Sequence, residues 1–579
     1  MIRSISNGDG FSRGASRVTR SACKLSLAVA MALGATTTAW AGNFMTHHVR
    51  DAVNQGTAKQ VGDLPAKQLM SLDVVLPVSD QAGLDRFVAS VTDPSSISYR
   101  DYLTPAQFTV VYGPSQHDYD TVVQYLVRNG FTVTGGSRDG MDVQVVGPVS
   151  AVEAAFNVKM HTYQHPTENR VFYSPDREPT TSLAIPLWHV SGLNNYSIPH
   201  PMLVKKSDYA KAHGISPDAV VTHATTGSGP SGAFLGSDMR AAYYGGTALT
   251  GAGQNLGLFE FEGTDLADLT TYYKNVKQTN NVPVTLLSTD GTSTACVDSK
   301  AGGDCDDTEQ TLDMTQALGM APGLASLTVY VGSTDTAILS SMTTHSPLPT
   351  TIGCSWGWTP ADPSTLNPYW EKMAAQGQSF FAASGDSSTW SKKNEAWPAD
   401  AAYVIGVGGT DLTTASAGGA WASETAWVDS GGGISPDKIA IPSWQAASGV
   451  INSSNKGSTT YRNGPDVAAN ANFTFYVCAD QTTCTANDYG GTSFAAPMWA
   501  AFIALANQQS TASGGALVGF IDPTIYAQNE SGGKLTSAFT ANFHDITSGK
   551  SGSYSAVTGY DLVTGWGSPK AALISALNP

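Results

Sequence analysis

Charge is in short supply in this 579-residue chain: 13% of its residues are Asp, Glu, Lys or Arg, about half the ~25% of an average protein. With 41% hydrophobic residues and 59 glycines, the scarcity excludes a disordered chain and implies a folded, turn-rich protein of two or three domains. Positive charge is scarcer still in the C-terminal part. From residue 228 onward, 13 Lys and Arg face 29 Asp and Glu, so that part holds the whole net charge of −16. An acidic surface excludes nucleic acid as a partner. It suits work at low pH, where protonated carboxyls no longer repel one another.

Long hydrophobic runs are also missing past the N-terminus, where no stretch approaches the ~20 apolar residues a membrane span needs. The N-terminus itself carries Arg3, Arg13, Arg17, Arg20 and Lys24, then LSLAVAMALGATTTAW, then Ala39 to Ala41 before Gly42. This is the pattern of a secretory signal peptide over residues 1–41. A membrane anchor is the weaker reading, because Thr36 to Thr38 interrupt a run already too short. The mature protein is expected to be secreted, extracellular, monomeric and free of membrane partners.

Cysteine is sparse: six in all, of which Cys23 leaves with the signal. In an oxidising compartment, Cys296 with Cys305 and Cys478 with Cys484 each close a short loop, so two local disulfides are expected. Cys354, within TIGCSWGW, is left over as a buried free thiol.

Residues 70 to about 190 alternate strand-like and helical patterns (MSLDVVLPV, DQAGLDRFVASVTD, HDYDTVVQYLVRNG, FTVTGG, MDVQVVGP, SAVEAAFNV), which predicts an α+β unit. Residues 205–231 lose periodicity and gain Gly, Ser, Thr and Pro, the mark of an exposed linker open to proteolysis. From 232 to 579, apolar strands (NLGLFEF, SLTVYVG, SFFAASG, YVIGVGG) alternate with helical stretches, predicting a doubly wound α/β domain.

Histidine is missing where it would be most useful. GGTSFAAP, residues 490–497, opens the long apolar run AAPMWAAFIALANQQ, and Ser493 there looks like a subtilisin-type nucleophile, which needs a base. Nine of the 11 histidines lie at or before His223. Of the other two, His345 sits in the loop TTHSPLP and His544 precedes an acidic turn, and neither has the HGT setting of a subtilisin base. A carboxylate is the next choice. In DDTEQTLDMTQALGMAP, a predicted helix from Asp306 to Pro322, Glu309 and Asp313 lie one turn apart on one face. The competing reading is an acidic solvated face. In SFFAASGDSS an apolar strand runs into Asp386, a carboxyl at the carboxyl end of a central strand, where open α/β sheets form sites. Taken alone, SGD is more often an ordinary turn.

Taken together, these stretches resemble the sedolisin family of serine-carboxyl peptidases. Glu309 and Asp313 in E-x-x-x-D, Asp386 in SGD and Ser493 in GTSFAAP occur in the family's order, with SWGW, VGGT, SGGGIS and PDVAA between them. LPVSD, DPSSISYRDYLTPAQF and YGPS resemble the family's N-terminal activation domain. The resemblance implies a subtilisin-like, mostly parallel α/β catalytic domain over 232–579, preceded by an α+β ferredoxin-like prodomain over 42–204 that inhibits it and is removed at 205–231. It implies that Ser493 is the nucleophile, Glu309 the general base and acid, Asp313 its tuning partner and Asp386 the oxyanion donor. Polypeptides would be the substrates and acid the working condition. Glu309 must accept a proton while Asp386 stays protonated, and both hold only below neutrality. SWGW and SGGGIS are expected to pair with extended substrate, with buried core the competing role for Trp356 and Trp358.

HDITSGKSGSYSAVTGYDLVTGWGSP, residues 544–569, places Asp545 and Asp561 around a Gly/Ser loop, which is either a plain turn or oxygen chemistry for a hard cation. The resemblance implies one structural Ca²⁺, held by the side chains of Asp545 and Asp561 and the carbonyls of Ile546, Val557 and Gly559. Val557 stands where the family commonly has Gly. Two alternatives remain: a secreted, non-enzymatic calcium-binding surface protein, and a subtilisin-type peptidase using His345 or His544.

Overall fold

The computed structural model describes residues 44–578 apart from 221–225, 298–302, 304, 395, 448 and 482. The expected signal peptide over residues 1–41 lies outside the described residues.

The strand Leu69–Val75 organises the N-terminal unit. Asp142–Pro148 pairs antiparallel on one side of it and His189–Ser191 on the other, and Thr132–Gly135 completes a four-stranded sheet. Helices connect these strands in β-α-β-β-α-β order, and the spatial order is the ferredoxin-like one expected. The helix Gln116–Arg128 shows why this sequence folds so. Ser115 caps it by accepting from Asp118 N at 3.0 Å, and Val122, Tyr125 and Leu126, spaced three and four apart, turn one face onto Val143, Val145 and Phe156.

The C-terminal part contains an eight-stranded sheet. Six parallel strands run in the spatial order Val284–Ser288, Ser326–Val331, Asn255–Glu260, Thr351–Cys354, Ser379–Ala383, Ile405–Thr414. Val467–Asn470 joins the last of these in parallel and Trp421–Ala426 antiparallel. Most strands are buried on both faces, which is why they read as continuous apolar runs. The helix Ala495–Ala512 packs through the centre, every residue from Ala495 to Asn507 buried. It reaches the sheet closely enough that a methyl on Gly353 would come within 3.1 Å of Pro497 Cα. Strand order reverses between Asn255–Glu260 and Thr351–Cys354, so the crevice beyond their carboxyl ends is where a site is expected.

Two expectations change. Residues 205–231 are not featureless, because Lys206–His213 is a helix with Asp208 in its first turn, Lys211 and His213 in its last, and Gly214 closing it at φ +65°. Its Ala210 is buried and its Tyr209 ring lies 5.4 Å from Phe473. KSDYAKAHG carries helical signals within polar surroundings, and Lys211–Ala219 is exposed throughout. SGGGIS does not pair with an extended segment either. Gly433–Ile434 is taken up by Asn463–Gly464. Both expected disulfides are formed, and Cys354 is free and buried.

Candidate active site

Ser493 lies in a single 3-10 turn, Thr492–Phe494, that feeds the Ala495–Ala512 helix. Backbone N–H groups at such a mouth have no partner within the helix, and the dipole there favours negative charge. The strand Tyr489–Gly490 leads into it through Gly491, whose φ of +152° only glycine adopts readily.

The helix Thr308–Met320 begins where Asp306 Oδ1 accepts from Thr308 N at 3.0 Å. It is buried on nearly every side, so the solvated acidic face is excluded: Glu309 is 3% exposed and Asp313 is fully buried. Asp313 Oδ1 accepts from Ser355 Oγ at 2.7 Å. Burial drives the Glu309 carboxyl well above its ordinary range, while the neighbouring Ser493 hydroxyl and Asp313 favour its charged form. Burial likewise raises Asp313, and the charges of Glu260 and Glu309 add to the rise.

Glu260 is a further buried acid beside this pair. It ends the strand Asn255–Glu260, fully buried, and Trp356 Nε1 donates to its Oε2 at 2.7 Å. Burial pushes it up to about 8. The acids thus continue inward from Ser493 through Glu309 and Asp313 to Glu260 and Trp356. The signal was present, because FEFEG ends a central apolar strand in a carboxyl as SFFAASGD does.

Asp386 follows the strand Ser379–Ala383. Thr492 donates to its Oδ1 twice, from N at 2.8 Å and from Oγ1 at 2.9 Å, and Thr492 Oγ1 accepts from Gly385 N at 3.0 Å. Asp386 is partly exposed, but its Oδ2 is sealed from solvent and has no hydrogen-bond partner among the described residues. Burial drives this carboxyl well above its ordinary range, with the Thr492 bonds opposing. Since Oδ1 is occupied as an acceptor, the proton belongs on Oδ2.

An extended segment of the chain crosses this site. His200–Pro201 pairs antiparallel with Trp356–Gly357, and Val204–Lys205 pairs antiparallel with Tyr489–Gly490. Between them the Met202 carbonyl oxygen accepts from Ser493 N at 3.1 Å and Ser493 Oγ at 2.5 Å. The backbone of 356–357 is a pairing edge for this segment of the chain, and the rings of Trp356 and Trp358 are both buried. Neither histidine of the C-terminal part joins the site. His345 bonds Tyr330 OH at 3.0 Å, and His544 stacks on Trp421 at 4.0 Å.

The C-terminal loop draws Asp545 and Asp561 to one turn. Asp545 Oδ1 accepts from Gly559 N and Asp561 Oδ2 from Val557 N, each at 3.1 Å. Asp561 is fully buried and pushed up to about 7 by burial. The carbonyls of Ile546, Val557 and Gly559 accept no hydrogen bond among the described residues. Among those residues no three His, Cys, Asp or Glu side chains converge as metal ligands. A cation here would depend on the two carboxylates and these carbonyls, an oxygen set that fits a hard ion.

The fold is that of a subtilisin-like peptidase, and buried carboxylic acids, not a histidine, lie beside Ser493 among the described residues. Residues 57–195 match the family described as "Pro-kumamolisin, activation domain", and residues 301–517 match "Subtilase family". The chain is 30% identical to kumamolisin of Bacillus sp. (strain MN-32), over 92% of this chain and 95% of that one. It is 28% identical to sedolisin of Pseudomonas sp. (strain 101), over 96% and 95%, and 27% identical to xanthomonalisin of Xanthomonas sp. (strain T-22), over 87% and 65%. A solved structure of Pseudomonas sedolisin aligns with 59% of this chain and 96% of its own at 26% identity and a TM-score of 0.47. The chain belongs to the sedolisin family of serine-carboxyl peptidases, with an activation prodomain ahead of its catalytic domain.

Proposed function

We propose that this chain is exported as a zymogen and becomes an acid endopeptidase acting on polypeptides. Ser493 is the nucleophile, Glu309 the general base and then acid, Asp313 the group that orients and tunes Glu309, and neutral Asp386 the oxyanion donor. The supporting observation is that three buried acids from two other stretches of sequence surround the Ser493 turn: Glu309 beside its hydroxyl, Asp313 beside Glu309, and Asp386 bonded to Thr492.

The chemistry follows from which groups can hold protons. Clustered acids in a low-dielectric interior cannot all ionise, so protons are shared among them. Glu309, whose two buried carboxyl oxygens have no hydrogen-bond partner among the described residues, takes the Oγ proton as Oγ attacks the substrate carbonyl carbon. The oxyanion is held by Ser493 N–H and Asp386 Oδ2–H. Collapse expels the amine with the proton from Glu309, and water then repeats the sequence to release the acyl group. Asp386 loses its donor as pH rises through its raised pKa, and Glu309 loses its capacity as base as pH falls. Activity is therefore bell-shaped and lies below neutrality.

Residues 42–204 act as the intramolecular inhibitor. When bound, Ca²⁺ would neutralise Asp545 and Asp561 and tie them to the carbonyls of Ile546, Val557 and Gly559. The reading is tested by acidifying purified precursor and following hydrolysis of an unfolded protein against pH. A maximum in the acid range is expected; a maximum near pH 8 overturns it.

A further inference from the structure

The segment crossing the site has the geometry of a bound substrate on both sides of one peptide bond. Met202 N donates to Ser355 O at 2.7 Å, continuing the pairing of His200–Pro201 with Trp356–Gly357. Val204–Lys205 pairs with Tyr489–Gly490, and Lys206 N donates to Asp488 O at 2.7 Å. Extended peptides gain affinity from such main-chain pairing, and their side chains supply specificity. The bond between the two paired stretches is Met202–Leu203.

The reacting groups sit at that bond. Ser493 N and Oγ both donate to the Met202 carbonyl oxygen. With a C=O length of about 1.23 Å, the 2.5 Å separation of the two oxygens keeps the carbonyl carbon within about 3.7 Å of Oγ. A methyl on Gly491 would stand 2.3 Å from Met202 O, 2.7 Å from Asp386 Oδ2 and 3.0 Å from Leu203 Cα. The unpartnered Asp386 oxygen and the Met202 carbonyl thus share one face of Gly491.

We propose that Met202–Leu203 is the bond this chain cuts in itself, and that Met202 marks the apolar pocket that takes the residue on the acyl side of substrates. This rests on the peptidase reading above. In the cut, Ser493 Oγ bonds to the Met202 carbonyl carbon and its proton passes to Glu309. The C–N bond to Leu203 breaks, and Glu309 protonates the departing Leu203 amine. Water then gives its hydroxyl to the Met202 carbonyl carbon, the ester bond to Ser493 Oγ breaks, and the water's proton passes through Glu309 to Oγ. Met202 is 7% exposed and packs into the main apolar core, while Pro201 and Lys205 face solvent. Selection therefore falls on the apolar residue before the cut more than on its outer neighbours. The exposed run Lys211–Ala219 lies beyond the paired strands and is left for later trimming between molecules.

The test acidifies purified precursor and reads the mass and N-terminal sequence of the earliest products, with hydrolysis of an unfolded protein measured in parallel. The first C-terminal product is expected to begin at Leu203, at a rate unchanged by tenfold dilution. Leu203→Pro, which fixes φ and puts a ring on the departing nitrogen, should slow that cut at least 100-fold. Should the variant fold poorly, a synthetic peptide spanning Ile198–Ser207 should be cut by the activated enzyme between Met and Leu. A first cut elsewhere, with hydrolytic activity present, overturns this inference and leaves the peptidase reading standing. Absence of both self-cleavage and hydrolysis overturns both.

Discussion

At the scale of single residues, the site works by keeping carboxylic acids out of water. Asp386 illustrates how one residue's two oxygens divide the labour: Oδ1 is held by Thr492 and Oδ2 is left to donate. Asp386→Ala should cost about 10²–10³ in kcat, the usual loss for one oxyanion donor. Asp386→Asn keeps an N–H donor that does not titrate, so the alkaline limb of the pH–rate profile should move upward relative to the wild type. Glu260→Gln is the contrasting case: burial pushes Glu260 up to about 8, so it is neutral in the acid range, and the substitution removes no charge there and should leave the acid limb of kcat/KM in place. Ser493, Glu309, Asp313 and Asp386 could all be singled out in the sequence because each falls in a short motif at a strand or helix end. Glu260 carries a weaker signal, a carboxyl at the end of an apolar strand in FEFEG, and only folding brings Trp356 against it.

At the scale of elements, regular structure was legible where one periodicity ran long enough. The helix at Thr308–Met320 and the strands at Asn255–Glu260, Ser326–Val331, Ser379–Ala383 and Ile405–Thr414 follow from apolar runs and end signals. Pieces that form only through partners far away in sequence were hidden. The two-residue strands His200–Pro201 and Val204–Lys205 exist because Trp356–Gly357 and Tyr489–Gly490 offer edges, which no local window contains. The loop holding Asp545 and Asp561 belongs to this scale too. If the cation binds native protein alone, a free concentration 100-fold above Kd stabilises by ~2.7 kcal/mol. EDTA should then lower the melting temperature of Ser493→Ala precursor by several degrees, and added Ca²⁺ should restore it. An unchanged transition removes the cation from the reading.

For the whole molecule, the same burial sets the pH range in which the fold is stable. Glu260 is pushed up to about 8, Asp400 and Glu371 to about 7, and Asp335 to about 6, each chiefly by burial. An acid with a raised folded pKa costs nothing while it is protonated in both states, below the unfolded value of about 4. Stability then falls as pH rises from there through the folded pKa values. Precursor carrying Ser493→Ala, which cannot cut itself, should therefore melt at its highest temperature near pH 4 and progressively lower up to pH 8. Constant or rising stability over that range would contradict the burial of these groups. The acidic composition agrees, since a chain with few cations has little positive charge to repel itself once its carboxyls are neutral.

The central claim is that a serine is activated here by a carboxylate and not by a histidine. The most direct measurement is the initial rate of peptide hydrolysis at pH 4 by Glu309→Gln, set beside the double variant His345→Gln with His544→Gln, after the prodomain has been removed from each by added wild-type enzyme that is then separated. Loss of at least 10³-fold in the first and near wild-type rates in the second are expected. The reverse pattern would contradict the claim.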